Sequence, residues 1–143
     1  MTTIPARRPV TDGLILMLQK AQLRPVGDGD AQWVDADLPY LVVEQVGTVD
    51  TAGDVSHPLG MADVVWQVTA VGRNRQSAEV AMDQARAAIL DKDGDGWVND
   101  IDALPTVVFG RWGDGEGGMV IDENVVNVSE RFRLSIMPSH LPA

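Results

Sequence analysis

The sequence predicts an α+β fold: a mostly antiparallel mixed sheet with two α-helices packed on one face. Two amphipathic helical patterns, at 10–23 and 75–90, are separated by strand-like segments. The segment 63–71 alternates but is largely apolar on both sides, as a central strand is. The segment 128–136 alternates strictly between apolar and polar, as an antiparallel strand with one wet face does. The order helix, strands, helix, strands then lets two helices cover one sheet face. The other face must meet water or another subunit. A length of 143 residues fits a single domain, 1–143, able to bury a core without staples.

In the first helix Leu14, Met17, Leu18 and Ala21 recur at spacings of three and four, with Thr11 or Asp12 as the expected cap. Arg24-Pro25 ends it, because proline disfavours helical backbone in the residue before it. Residues 26–39 are rich in Gly and Asp, with Trp33-Val34 as a candidate short strand. Residues 40–46 form a β-branched strand bounded by Pro39 and Gly47. Residues 48–61 make a loop of Gly, Asp, Ser and Pro, of a length that in compact domains is usually functional or mobile.

In 63–71, Val64, Trp66, Val68 and Ala70 line one face, and Val65, Gln67, Thr69 and Val71 the other. Asn74 caps the second helix, whose stripe is Ala78, Ala81, Met82, Ala85, Ala88 and Ile89. Glu79, Asp83 and Arg86 face away from it, and the small alanines let the helix lie close to a sheet. Strands follow at 106–109, 119–121 and 128–136, where Phe132, Leu134 and Ile136 oppose Arg131, Arg133 and Ser135. Between the first two, the glycine-rich run 110–118 reads as a flexible hairpin tip.

Composition narrows the function. The formal net charge is −10 and cysteine is absent, which excludes disulfides, zinc–thiolate sites and thiol nucleophiles. An acidic balance argues against a surface that grips nucleic acid, since lysine and arginine supply that affinity; it serves solubility equally well. The N-terminal stretch shows no apolar run of the secretory kind, and none approaches the ~18 residues of a spanning helix. A soluble, cytosolic protein without membrane contact is expected.

The sharpest local motif is Asp91-Lys92-Asp93-Gly94-Asp95-Gly96-Trp97-Val98-Asn99-Asp100-Ile101-Asp102. It matches much of an EF-hand calcium loop. Asp91, Asp93, Asp95 and Asp102 would supply carboxylates, Trp97 its carbonyl and Asn99 its amide, while Gly96 permits the sharp turn. Asp102 stands where a glutamate is usual, and Pro105 forbids a full exiting helix. The competing reading is a helix C-terminus running into a turn rich in Asp and Gly. A Ca2+ ion, if bound, would brace the loop.

Catalytic signals are thin. His57 and His140 stand in loop-type sequence, and no phosphate-binding, serine-elbow or metalloprotease motif occurs. No catalytic or cofactor-binding residue is nominated, and an enzyme is not expected. Trp97 and Trp112 are either interface anchors or rings folded back over the sheet edge.

Four segments together carry a family likeness: the helix ending in Arg24-Pro25; Pro39-Tyr40-Leu41-Val42-Val43-Glu44; the strand Val65-Trp66-Gln67-Val68-Thr69-Ala70-Val71-Gly72 leading into a helix with Ala78-Glu79 and Ala85-Arg86; and Glu130-Arg131-Phe132-Arg133-Leu134. In this order the chain resembles the tail terminator (tail completion) proteins of long-tailed bacteriophages, especially those infecting actinobacteria. The loop 91–102 departs from that pattern. The resemblance implies a tail-terminator-like fold and a homo-oligomeric ring, typically a hexamer. Such a ring caps the major tail tube protein, ends tube polymerisation and offers the head-tail joining surface at the neck of the virion. It further implies assembly in the host cytoplasm, contact with a head completion or stopper protein, and viral DNA passing through without specific binding. The family has no catalytic residues to carry over. The alternatives are a head completion (stopper, connector) protein of the same neck and a small calcium-binding module.

Overall fold

The computed structural model describes residues 5–22, 24–29, 38–49, 60–122 and 124–139. Its elements are α1 (Arg8–Gln22), β1 (Val26–Asp28), β2 (Tyr40–Val49), β3 (Ala62–Gly72), α2 (Arg75–Leu90), β4 (Lys92–Asp93), β5 (Gly96–Trp97), β6 (Thr106–Asp122) and β7 (Val125–Pro138). The main sheet runs β1-β2-β3-β7-β6, and β4 and β5 form a separate two-stranded ribbon. β1 lies parallel to β2, and the other neighbours are antiparallel. The fold is α+β, with β3 in the centre as its two-sided apolar pattern predicts.

Val64, Trp66, Val68 and Ala70 of β3 and Phe132, Leu134 and Ile136 of β7 join one core with Leu14 and Leu18 of α1 and Ala81, Ala85 and Ile89 of α2. Both helices therefore cover one face. The stripe of alanines on α2 lets its axis approach the sheet, and burial of these apolar groups stabilises at about 25 cal/mol per Å². Trp66 is 0% exposed, and its indole Nε1 donates to the Thr11 hydroxyl at 2.9 Å, tying α1 to the central strand.

Local sequence explains most boundaries. Asn74 caps α2: its Oδ1 accepts from the Ser77 backbone N–H at 2.8 Å, and the Ser77 hydroxyl reaches back to the Asn74 N–H at 3.4 Å. α1 corrects the expected cap. It begins at Arg8, not beside Thr11 or Asp12, because Pro9 is tolerated in a first turn where its missing N–H is not needed. The Arg7 carbonyl accepts from the Val10 and Thr11 amides, and Thr11 is a buried helical residue.

β6 brings the larger correction. The glycine-rich run 110–118 lies inside a continuous strand and is not a hairpin tip; the strands are joined across 123–124, next to the pair Asp122↔Val125. Register shifts at Val108/Gly110, Gly113/Glu116 and Glu116/Gly118 absorb extra residues as bulges. Gly115 and Gly118 adopt φ of 102° and 96°, which side-chain-bearing residues rarely do. β2 continues past 46 to Val49 through a shift at Gln45/Gly47, and β1, only 3 residues long, carries no readable period. The candidate strand Trp33-Val34 and positions 50–59 of the expected loop lie outside the described residues. Among the described residues no helix is long and apolar enough to cross a membrane.

Candidate functional site: a sheet edge and the lobe beside it

Among the described residues β6 is the terminal strand of the sheet, and one side of its backbone has no partner strand there. Sheet edges of this kind are templates for another chain unless they are blunted. The three bulges blunt the middle of β6. Beyond them Met119, Val120, Ile121 and Asp122 pair in unbroken register with β7, and Val120 and Ile121 are 59% and 74% exposed. Phe109 and Trp112 add exposed aromatic surface lower on the same strand.

Arg111 and Trp112 point to opposite sides of the sheet. Arg111 faces the helices and is buried; its Nη1 donates to the Ile89 carbonyl at 3.0 Å, near the C-terminus of α2. Its guanidinium lies 4.7 Å from the Trp97 ring centroid, and the Lys92 ammonium lies 4.4 Å from it. Burial lowers the Arg111 pKa, and Asp100 acts against that shift. Trp112 faces the side away from the helices, its ring over Gly110, where a Cβ would approach it to 2.5 Å. The Arg133 guanidinium stands 5.0 Å from that ring. On the same side Arg131 Nε donates to Gln67 Oε1 at 3.3 Å, and the Thr69 and Ser129 hydroxyls are 3.0 Å apart.

The calcium-like segment forms a lobe fastened to the helix layer. The Asp91 N–H donates to the Ala87 carbonyl at 2.9 Å, and the Asp91 carbonyl accepts from the Val98 N–H at 3.0 Å. Asp93 Oδ1 accepts from the Asp95 N–H at 2.8 Å. Gly96, at φ 127°, makes the sharp turn, and Trp97 is half-buried beneath Arg111. Asn99 Nδ2 donates to the Ala88 carbonyl at 3.1 Å, satisfying an end group of α2. The Asp102 carbonyl lies where a Cβ on Gly13 would meet it at 2.4 Å, so α1 packs directly on the lobe. The six sequence-nominated ligands thus share one lobe. Among the described residues, however, no three His, Cys, Asp or Glu side chains are grouped so as to hold a metal ion.

Between α2 and β6 runs a groove of about 460 Å³ lined by Glu79, Met82, Asp83, Glu116, Met119 and Glu130, among others. Glu130 Oε1 accepts from Arg86 Nη1 at 3.3 Å, while its Oε2 is buried without a hydrogen-bond partner among the described residues. Burial raises the Glu130 pKa, and Arg86 opposes the shift. His57 and His140 lie outside the described residues.

The fold is shared with a virion protein. A chain in the virion of a native gene transfer agent particle is similar in structure, with a TM-score of 0.57 and 13% identity, over 87% of this chain and 84% of that one. At that identity the likeness is one of fold. No protein-family model matches the chain. No curated protein matches it.

Arg111 escapes sequence reasoning because it stands in a run read as a loop. The available signal was alternation of Arg111 with the residues around it, and the bulges break that alternation. Trp97 folds back under two cations, whereas Trp112 keeps 44% of its surface exposed.

Proposed function

We propose that this chain is a structural component of a phage-type virion and, within that class, a tail terminator. It closes a ring of identical copies, six as in the proteins it resembles, on the last ring of the tail tube. There it ends polymerisation and presents the surface that joins the head. The observation that carries the reading is the likeness of fold, over 87% of the chain, to a chain of a gene transfer agent virion.

The open edge supports it. Unpaired backbone groups and exposed apolar side chains on β6 are what a neighbouring copy covers, and a ring needs two different patches on each copy. A net charge of −10 suits a channel through which DNA passes without being gripped. In this reading the chain has no catalytic task.

Sedimentation and negative-stain microscopy of the purified chain, alone and with isolated tail tubes, test it. Discrete rings seated on tube ends support the reading. Rings that bind heads and ignore tubes would indicate the stopper position instead. A monomer indifferent to both overturns it.

A further inference from the structure

We propose that the cationic strip on the sheet face opposite the helices, formed by Arg131, Arg133 and Trp112, receives the acidic lobe 91–104 of a second copy of this chain. The inference rests on the ring reading and names its contact.

Charge complementarity carries it. The lobe presents Asp91, Asp93, Asp95, Asp100 and Asp102 against the single cation Lys92, and all five aspartates are exposed. Among the described residues none of the five makes an ion pair within 4 Å, the four such pairs lying elsewhere. Arg131 and Arg133 likewise have no carboxylate partner among the described residues; their neighbours are Gln67 and the Trp112 ring. The Arg133 Nε is buried without an acceptor among the described residues. Among the described residues, neither cluster therefore meets an opposite charge in an ion pair within 4 Å, and only Asp100 of the lobe feels Arg111 beneath it.

Apolar groups accompany the charges. Val98 and Leu104 are 52% and 69% exposed on the lobe, while Trp112 and Phe109 are exposed at the edge beside the arginines. An aromatic ring and arginines make a common centre for an interface, with charges around it setting register.

Placement favours a head-to-tail contact. Arg111 points to the helix side and stacks on Trp97 of the lobe, whereas Trp112, the next residue, points to the opposite side with Arg133. Lobe and strip thus stand on opposite sides of the sheet. One copy can give its lobe to a neighbour while receiving another on its strip, the heterologous arrangement that closes a ring. Three carboxylates stand near the strip: Asp63, whose Oδ1 accepts from the hydroxyl of Ser135, two residues along β7 from Arg133; Asp114, in the β6 bulge opposite Arg131; and Glu44, farther off on β2. Among the described residues none of them pairs with Arg131 or Arg133 within 4 Å. DNA is the weaker occupant: two arginines neutralise about two phosphates, and the net charge of −10 repels the rest.

Two variants test the contact. Arg131→Glu/Arg133→Glu reverses the strip. Asp95→Lys/Asp102→Lys reverses part of the lobe while leaving the hydrogen bonds of Asp91, Asp93 and Asn99 in place. Circular dichroism checks that each folds, and Arg131→Glu alone serves if half-buried Arg133 does not tolerate the change. Each variant is expected to need at least about 30-fold more protein to form rings. An equimolar mixture is expected to form rings in which the two variants alternate, because the native strip then receives the native lobe and the reversed strip the reversed lobe. Combining both reversals in one chain is expected to restore rings. Rings that survive both variants overturn this contact and leave the ring reading standing; a wild-type chain that never assembles overturns both. Salt-dependent binding of random duplex DNA, lost with the strip variant while rings persist, would assign the strip to nucleic acid instead.

Discussion

Replacing Thr11 by Val removes one hydroxyl and leaves the Trp66 indole N–H without its acceptor. The bond is 2.9 Å long, joins α1 to β3, and lies where Trp66 is 0% exposed, so no water replaces it. Stranding a buried donor costs about 1–3 kcal/mol, and valine fills nearly the same volume as threonine, so a packing defect adds little. Thr11→Val is therefore expected to lose about 2 kcal/mol, a fall of roughly 4–10 °C in Tm for a chain of this size. Trp66→Phe loses more, about 3 kcal/mol, because it also empties core volume. In that second background the donor is already gone, and Thr11→Val becomes nearly neutral. Urea unfolding of the four proteins at one protein concentration closes the cycle, with an expected coupling of about 1–2 kcal/mol. An equal cost for Thr11→Val in both backgrounds would refute the claim that this bond fastens α1 to the sheet.

Asn74→Ala removes the α2 cap and is expected to cost about 1 kcal/mol by urea unfolding, with Asn74→Ser restoring most of it. Gly72→Ala places a Cβ 2.8 Å from the Ala78 backbone N and is expected to lower Tm clearly. Gly110→Ala meets the exposed Trp112 ring at 2.5 Å, so the ring moves aside, tryptophan emission shifts and Tm changes little. Chelator and millimolar calcium are both expected to leave Tm unchanged, because protein groups already fasten the lobe; a strong shift would favour the calcium-loop reading. Burial holds the Glu130 carboxyl above the ordinary carboxylate range, so the folded chain binds its proton at higher pH than the unfolded chain does. This group's contribution to stability therefore falls as pH rises through that window, and Glu130→Gln is expected to flatten urea midpoints measured between about pH 4 and 7.

The parts of the fold legible in the sequence are those where one period dominates. Val64 to Ala70 and Phe132 to Ile136 alternate without interruption, and α2 carries both a stripe and a cap, so the structure places them as read. β6 was illegible because glycine composition signals a loop, whereas here its glycines serve bulges and a close ring contact. The start of α1 lies earlier than expected because Thr11 and Asp12 are good cap residues by type, whereas the helix already begins at Arg8 and its first turn accepts Pro9. At the site, an Asp-Gly run fits a metal loop and a helix-ending turn equally well by composition. Only the fold shows Asp93 bonded to the Asp95 N–H and Asn99 bonded to the Ala88 carbonyl. The exposed Trp112 was nominated, but its partner Arg133 required knowledge of the β6–β7 register.

The central claim is that copies of this chain close on the end of a tail tube. The most direct measurement adds the purified chain to polymerising tail-tube protein and follows tube length by electron microscopy. The account predicts that growth stops at a length set by the time of addition, with one ring on the arrested end. Tubes that lengthen unchanged, with the chain left free in solution, would contradict it.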